Sequence, residues 1–91
     1  MLKSAIRDEA KYPINVVSHL TGLAKQVIRI WELRYGAVRP FRTKTNRRLY
    51  SNSEINRLLL LHQVTKSGHP IGQIARLSEE ALQMLLKRRR P

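Results

Sequence analysis

The chain has 91 residues, enough for one modest core, and carries 18 Lys+Arg against 6 Asp+Glu, a formal charge of +12. That excess repels itself in a compact state and calls for a polyanionic partner, nucleic acid first and an anionic membrane surface second. The absence of cysteine excludes a disulfide framework, a thiolate metal site and a cysteine nucleophile, and no apolar run approaches the roughly 20 residues of a membrane span.

Residues 1–11 mix both signs of charge without an apolar stripe and read as a loosely held leader with no signal-peptide pattern, so a soluble, intracellular protein is expected. Asn15 is suited to cap a short helix whose Val16, Val17 and Leu20 follow the spacing of a buried face, and Thr21-Gly22 breaks it. The segment from Ala24 to Tyr35 repeats the pattern. Val27, Ile28, Trp31 and Tyr35 share one side, which makes the two aromatics core residues rather than stacking platforms. Lys25, Gln26, Arg29 and Leu33 fall on the other side, and Gly36 ends the helix. Two short helices across a Gly-containing turn, the second basic on its free face, have the outline of a helix-turn-helix.

Val38–Arg42 and Arg47–Tyr50 then flank the polar stretch Thr43–Asn46, which predicts a two-stranded hairpin. Alternation puts Arg48 with Tyr50 on one side and Arg47 with Leu49 on the other, so one side carries arginine beside an apolar residue. Between Lys25 and Arg48 there are eight basic residues against one acid, Glu32, which predicts a continuous basic surface. Ser51-Asn52-Ser53-Glu54 has the form of a capping box, opening a helix to about Ser67 with Ile55, Leu58, Leu59, Leu61 and Val64 as its stripe. Gly68 stops that helix, Ile71–Leu77 adds one or two turns, and Ser78 caps a last helix with Glu79 and Glu80 at its start and Lys87 and Arg88 near its end. Lys87–Arg90 is a basic run at the chain end, of the kind usually solvated. His19, His62 and His69 fit no metal-ligand spacing, and no nucleophile motif, phosphate-cradling glycine loop or carboxylate pair occurs, so neither an enzyme nor a metal site is expected.

In order along the chain, residues 12–23 (YPINVVSHLTGL), 27–40 (VIRIWELRYGAVRP), 42–58 (RTKTNRRLYSNSEINRL) and 68–78 (GHPIGQIARLS) resemble the N-terminal DNA-binding domain of the MerR family of bacterial transcription regulators. The specific elements are Leu20-Thr21-Gly22, Ile28-Arg29 with Trp31-Glu32, Arg34-Tyr35-Gly36, Pro40, Arg48-Leu49-Tyr50-Ser51 and Ile71-Gly72-Gln73-Ile74. The resemblance implies a mostly α winged helix-turn-helix over residues 12–78, about five short helices with a two-stranded wing. Residues 79–91 follow as a C-terminal helix and basic tail, the start of a linker to effector and dimerisation regions beyond this chain. It implies an operator-binding domain of a repressor, working in the bacterial cytoplasm on nucleoid DNA. Lys25, Gln26, Arg29 and Arg34 would serve on the recognition helix, and Arg42, Lys44, Arg47, Arg48 and Tyr50 on the wing.

For two of these residues the resemblance leaves a choice. Arg48 either meets DNA or hydrogen-bonds within the wing, and the Tyr50 hydroxyl either meets a phosphate or the ring simply packs beside Leu49. The Trp-Glu-x-Arg-Tyr-Gly form looks like the subgroup whose downstream domain binds cobalamin, often in response to light; this implies no cofactor in this chain and oligomerisation through the longer regulator, the domain alone being monomeric. Three positions depart from the family: Ala24 and Val27 stand where Ser or Thr and Thr are common, and Arg47 where an aromatic or His is frequent. Ala24 in particular offers no capping oxygen, leaving Thr21 or a bound phosphate to cap the second helix. Two other functions compete: a protein-interaction module whose basic face takes an acidic, DNA-mimicking antirepressor, and an excisionase-like architectural factor that bends DNA.

Overall fold

The computed structural model describes residues 9–88. Strand β1 (Tyr12–Pro13) leads into helices α1 (Ile14–Thr21) and α2 (Lys25–Tyr35). Strands β2 (Phe41–Arg42) and β3 (Arg48–Tyr50) form the wing, and helices α3 (Asn52–Lys66), α4 (Ile71–Ile74) and α5 (Glu79–Lys87) complete the chain. Five helices and a small sheet thus make the winged helix-turn-helix that the patterns anticipate. No helix among the described residues is long and apolar enough to cross a membrane.

The sheet has one strand more than expected. β1 pairs antiparallel with β3, Tyr12 opposite Tyr50 and Pro13 opposite Leu49, giving the order β1-β3-β2. Lys11 joins by donating its N–H to the Tyr50 carbonyl at 3.0 Å, so the last residue of the expected leader is tied to the sheet; residues 1–8 lie outside the described residues. Two paired residues are too short to show alternation, and Pro13 masks the signal further because it supplies no ladder donor.

The start and face of α1 also differ from expectation. Pro13, extended at φ −73°, occupies the cap position in place of Asn15, because the helix begins directly where the strand ends. Its inward side holds Val17 and Thr21, whereas Val16 and Leu20 are 36% and 50% exposed. Thr21 is the reason the apolar pattern misled: its hydroxyl donates to Val17 O at 2.8 Å and accepts Leu23 N–H at 3.2 Å, so a polar side chain sits inside fully satisfied.

α3 is the central element. The capping box is complete, with Ser51 Oγ accepting the Glu54 N–H at 3.2 Å and Glu54 Oε1 accepting the Ser51 N–H at 3.0 Å. Ile55, Leu58, Leu61 and Val64 are buried along one stripe, against α1 on one side and α5 on the other. Ser78 Oγ accepts the Ala81 N–H at 3.1 Å and so caps α5, whose Leu82 has no exposed surface. Leu82 thus packs in the same core as the α3 stripe. Val38 contributes to that same core and not to a strand, which shortens β2 to Phe41–Arg42.

Candidate nucleic-acid interface

The turn between α1 and α2 is set by Gly22, left-handed at φ 79°, which returns its N–H to Ser18 O at 2.9 Å. Ser18 Oγ then donates to Leu23 O at 2.6 Å, and Leu23 is buried. Both hydroxyls of the last α1 turn are thereby spent on the turn itself. Consequently α2 starts at Ala24 with no side-chain cap, and Thr21 does not supply one. Its amide donors face outward at the helix end where a partial positive charge accumulates. The far end is closed by Gly36 at φ 63°, with the Gly36 N–H donated to Glu32 O at 3.1 Å and the Ala37 N–H to Trp31 O at 3.0 Å.

α2 is two-faced. Ile28 and Trp31 are buried, Val27 and Tyr35 partly so, while Lys25, Gln26 and Arg29 are exposed together on the opposite side. Arg34 is exposed too, but near the C-terminal end of α2, with its guanidinium 5.8 Å from the Tyr35 ring centre. It is thus separated from Lys25 and Gln26 by more than two helical turns and from Arg29 by about one and a half.

The wing divides its basic residues into two sets. At the tip, Asn46 takes a left-handed φ of 65°, which Asn tolerates, and accepts a hydrogen bond from Arg42 Nη1 at 2.7 Å. Thr43 closes the hairpin by donating its N–H to Arg47 O at 2.9 Å and accepting the Arg47 N–H on Oγ1 at 3.1 Å. Lys44 and Arg47 extend from this braced loop into solvent. Arg48 points the other way: its Nε donates to Glu32 Oε1 at 2.7 Å, with side-chain exposures of 18% and 11%. Arg42 lies between the two sets, 3.8 Å from Glu32 Oε2 and still exposed. The lone acid of the basic stretch therefore fastens the wing to α2, a role that no local spacing signals.

Tyr50 does not fit the phosphate reading. It has no exposed surface, and its hydroxyl is buried without a hydrogen-bond partner. Burial first, and the nearby Glu32 carboxylate second, push its pKa up to about 12. The unfolded chain would ionise this phenol near the ordinary 10. The stability gained by keeping it neutral is whole below pH 10 and is lost as pH rises toward 12. Tyr50→Phe is expected to be neutral or to stabilise the fold by about 1 kcal/mol, since it removes an unpaired buried hydroxyl. It should also reduce the alkaline loss of stability in thermal melts between pH 9 and 12. A phenol serving phosphate would instead show its loss as weakened polyanion binding.

Sequence reasoning also missed Arg57. On α3, its Nε donates to Ala37 O at 2.9 Å and its Nη2 to Ala75 O and Leu77 O at 2.7 and 2.8 Å, which ties the α2–β2 connection to the end of α4. No group of three His, Cys, Asp or Glu side chains capable of holding a metal occurs among the described residues.

Comparison with known proteins agrees with this architecture. The family model described as MerR HTH family regulatory protein matches residues 12–81. The chain is 34% identical over 77 residues to the HTH-type transcriptional repressor CarH of Myxococcus xanthus, covering 85% of this chain and 26% of that protein. It is 36% identical over 67 residues to the HTH-type transcriptional regulator GlnR of Bacillus anthracis, and equally to that of Bacillus cereus, covering 74% of this chain and 51% of theirs. The chain thus spans about a quarter of the first relative and about half of the other two. With the two-helix unit, its braced wing and a family match across nearly all of the core, the chain belongs to the MerR family of helix-turn-helix regulatory proteins.

Proposed function

We propose that this domain binds double-stranded DNA sequence-specifically, as the operator-binding part of a bacterial transcription regulator that acts as a repressor on nucleoid DNA. The observation that carries the reading is the segregation of charge. Lys25, Arg29, Lys44 and Arg47 are exposed and make no ion pair among the described residues, while the single acid of the region is turned inward onto Arg48. α2 has the form of a helix for the major groove, with Lys25, Gln26 and Arg29 at its leading end. The wing offers Arg42, Lys44 and Arg47 to backbone on either side. Repression, rather than activation, is supported by the likeness to the Myxococcus transcriptional repressor.

The resemblance attaches cobalamin to a downstream domain, and the proposal assigns no residue of this chain to it. One surface groove, about 510 Å³, is open and is lined in part by Arg39, Glu54, Arg57, Arg76 and Glu79. No step of this reading passes through a cofactor.

Selection of bound sequences from random duplex DNA tests the proposal, and enrichment of a defined half-site is the expected result. Arg47→Ala should then weaken binding to every duplex and lower the slope of log affinity against log salt by about one unit, as loss of one phosphate contact does. Gln26→Ala and Arg29→Ala should change the enriched sequence instead. Unchanged binding in all three variants would overturn the assignment.

A further inference from the structure

The outward face of α2 carries more than polar groups. Ile30 is 44% exposed and Leu33 67% exposed, although Ile28 and Trp31 on the opposite side already supply the core. Helical geometry places them among the residues assigned to DNA. One outward row runs Gln26, Ile30, Leu33 and the adjacent row Lys25, Arg29, Leu33, each starting polar and ending on an exposed aliphatic. At a rise of about 1.5 Å per residue, the span from Lys25 to Leu33 is about 12 Å, comparable to the width of a major groove. The aliphatic pair is flanked by Lys25, Arg29 and Arg34, which have no acidic partner among the described residues. Such a surrounding favours a polyanion over a neutral protein surface.

In a major groove, base pairs present one apolar group, the C5-methyl of thymine. We propose that Ile30 and Leu33 are specificity-determining residues that read thymine, each packing on a C5-methyl while Gln26 and Arg29 address neighbouring base edges. The proposal rests on the DNA-binding reading above and adds to it the chemistry of the bases selected. It predicts thymines at fixed positions in the half-site, contacted without a hydrogen bond.

The test uses the duplex enriched by the whole 91-residue chain, with its thymines replaced one at a time by deoxyuridine, which removes the methyl and keeps the base pair. At two positions the replacement should weaken binding about fourfold, the effect of withdrawing one buried methyl. In Ile30→Ala one of these positions should become indifferent to the methyl, and in Leu33→Ala the other, with thermal melts unchanged because both side chains lie on the surface. Indifference to every deoxyuridine replacement, or the same methyl sensitivity in both variants as in the parent, would overturn the proposal. Parent-like binding by the Ile30→Ala, Leu33→Ala double variant would also overturn it and would assign the aliphatic pair to a protein surface. Absence of binding to any thymine duplex would instead overturn the underlying DNA reading, an outcome distinct from binding that ignores the methyl.

Discussion

Arg57→Met is expected to lower the unfolding free energy by about 4 kcal/mol, seen as a shift of the urea midpoint by about 3 M. The reason is the concentration of three carbonyl acceptors on one guanidinium: Ala37 O, Ala75 O and Leu77 O at 2.7 to 2.9 Å. Ala37 and Ala75 are buried residues bordering an open groove, so loss of the arginine strips three carbonyls of a charged donor. Hydrogen bonds to charged groups contribute about 1.5–3 kcal/mol each, and the total is kept below the sum because the three share one group. Methionine retains the aliphatic packing, so the loss reports the hydrogen bonds and not a cavity. Arg57→Lys should recover little of it, since one ammonium cannot match a planar fork that reaches three oxygens in two directions. A domain of this size has about 5–15 kcal/mol to lose. The variant should therefore show near-native circular dichroism at low temperature together with early melting. A shift below about 1 kcal/mol would mean that water replaces the guanidinium at these carbonyls.

The contrast between Arg57 and the capping box shows which parts of this fold are legible in sequence. Ser51 and Glu54 find each other within one turn, so their spacing states their bond, and the same is true of Ser78 with Ala81 and of Gly36 at the end of α2. Arg57 bonds to residues 18 and 20 positions away, and nothing local distinguishes it from a solvated arginine on an amphipathic helix. β1 is the same case in the sheet: two residues acquire strand character only through Leu49 and Tyr50, far along the chain. Thr21 was misread for a chemical reason, because hydropathy does not record that a threonine hydroxyl can be satisfied by its own helix. At the site, the split of α2 into a core side and a basic side followed from its period. The separation of Arg48 and Tyr50 from Arg47 followed only in part. Alternation gave the two faces of β3, but which face turns inward is decided by Glu32 and the core.

That decision makes Glu32 the residue on which the second large effect is expected. Glu32→Gln should destabilise the domain by about 2 kcal/mol, less than the about 3–5 kcal/mol for breaking a fully buried pair because both side chains keep some contact with water. A double-mutant cycle with Arg48→Met should return most of this as coupling between the two residues, whereas independent surface positions would add. The consequence for DNA is opposite in its two parts. Removing the one negative charge in a stretch of eight positive ones should raise affinity for non-specific duplex by a small factor, about two- to threefold at low salt. Releasing Arg48, and relaxing Arg42 at 3.8 Å, should at the same time let the wing shift relative to α2, so that helix and hairpin no longer meet their groove and backbone in register. Affinity for the selected half-site should fall about tenfold, and the ratio of specific to non-specific binding by more, measured by titrating the two duplexes side by side at one salt concentration. A purely electrostatic role for Glu32 would raise both affinities together, and a purely stabilising role would leave their ratio unchanged well below the melting temperature. Loss of the ratio with gain in the non-specific component is the signature of an acid placed to hold the wing at the angle the helix requires.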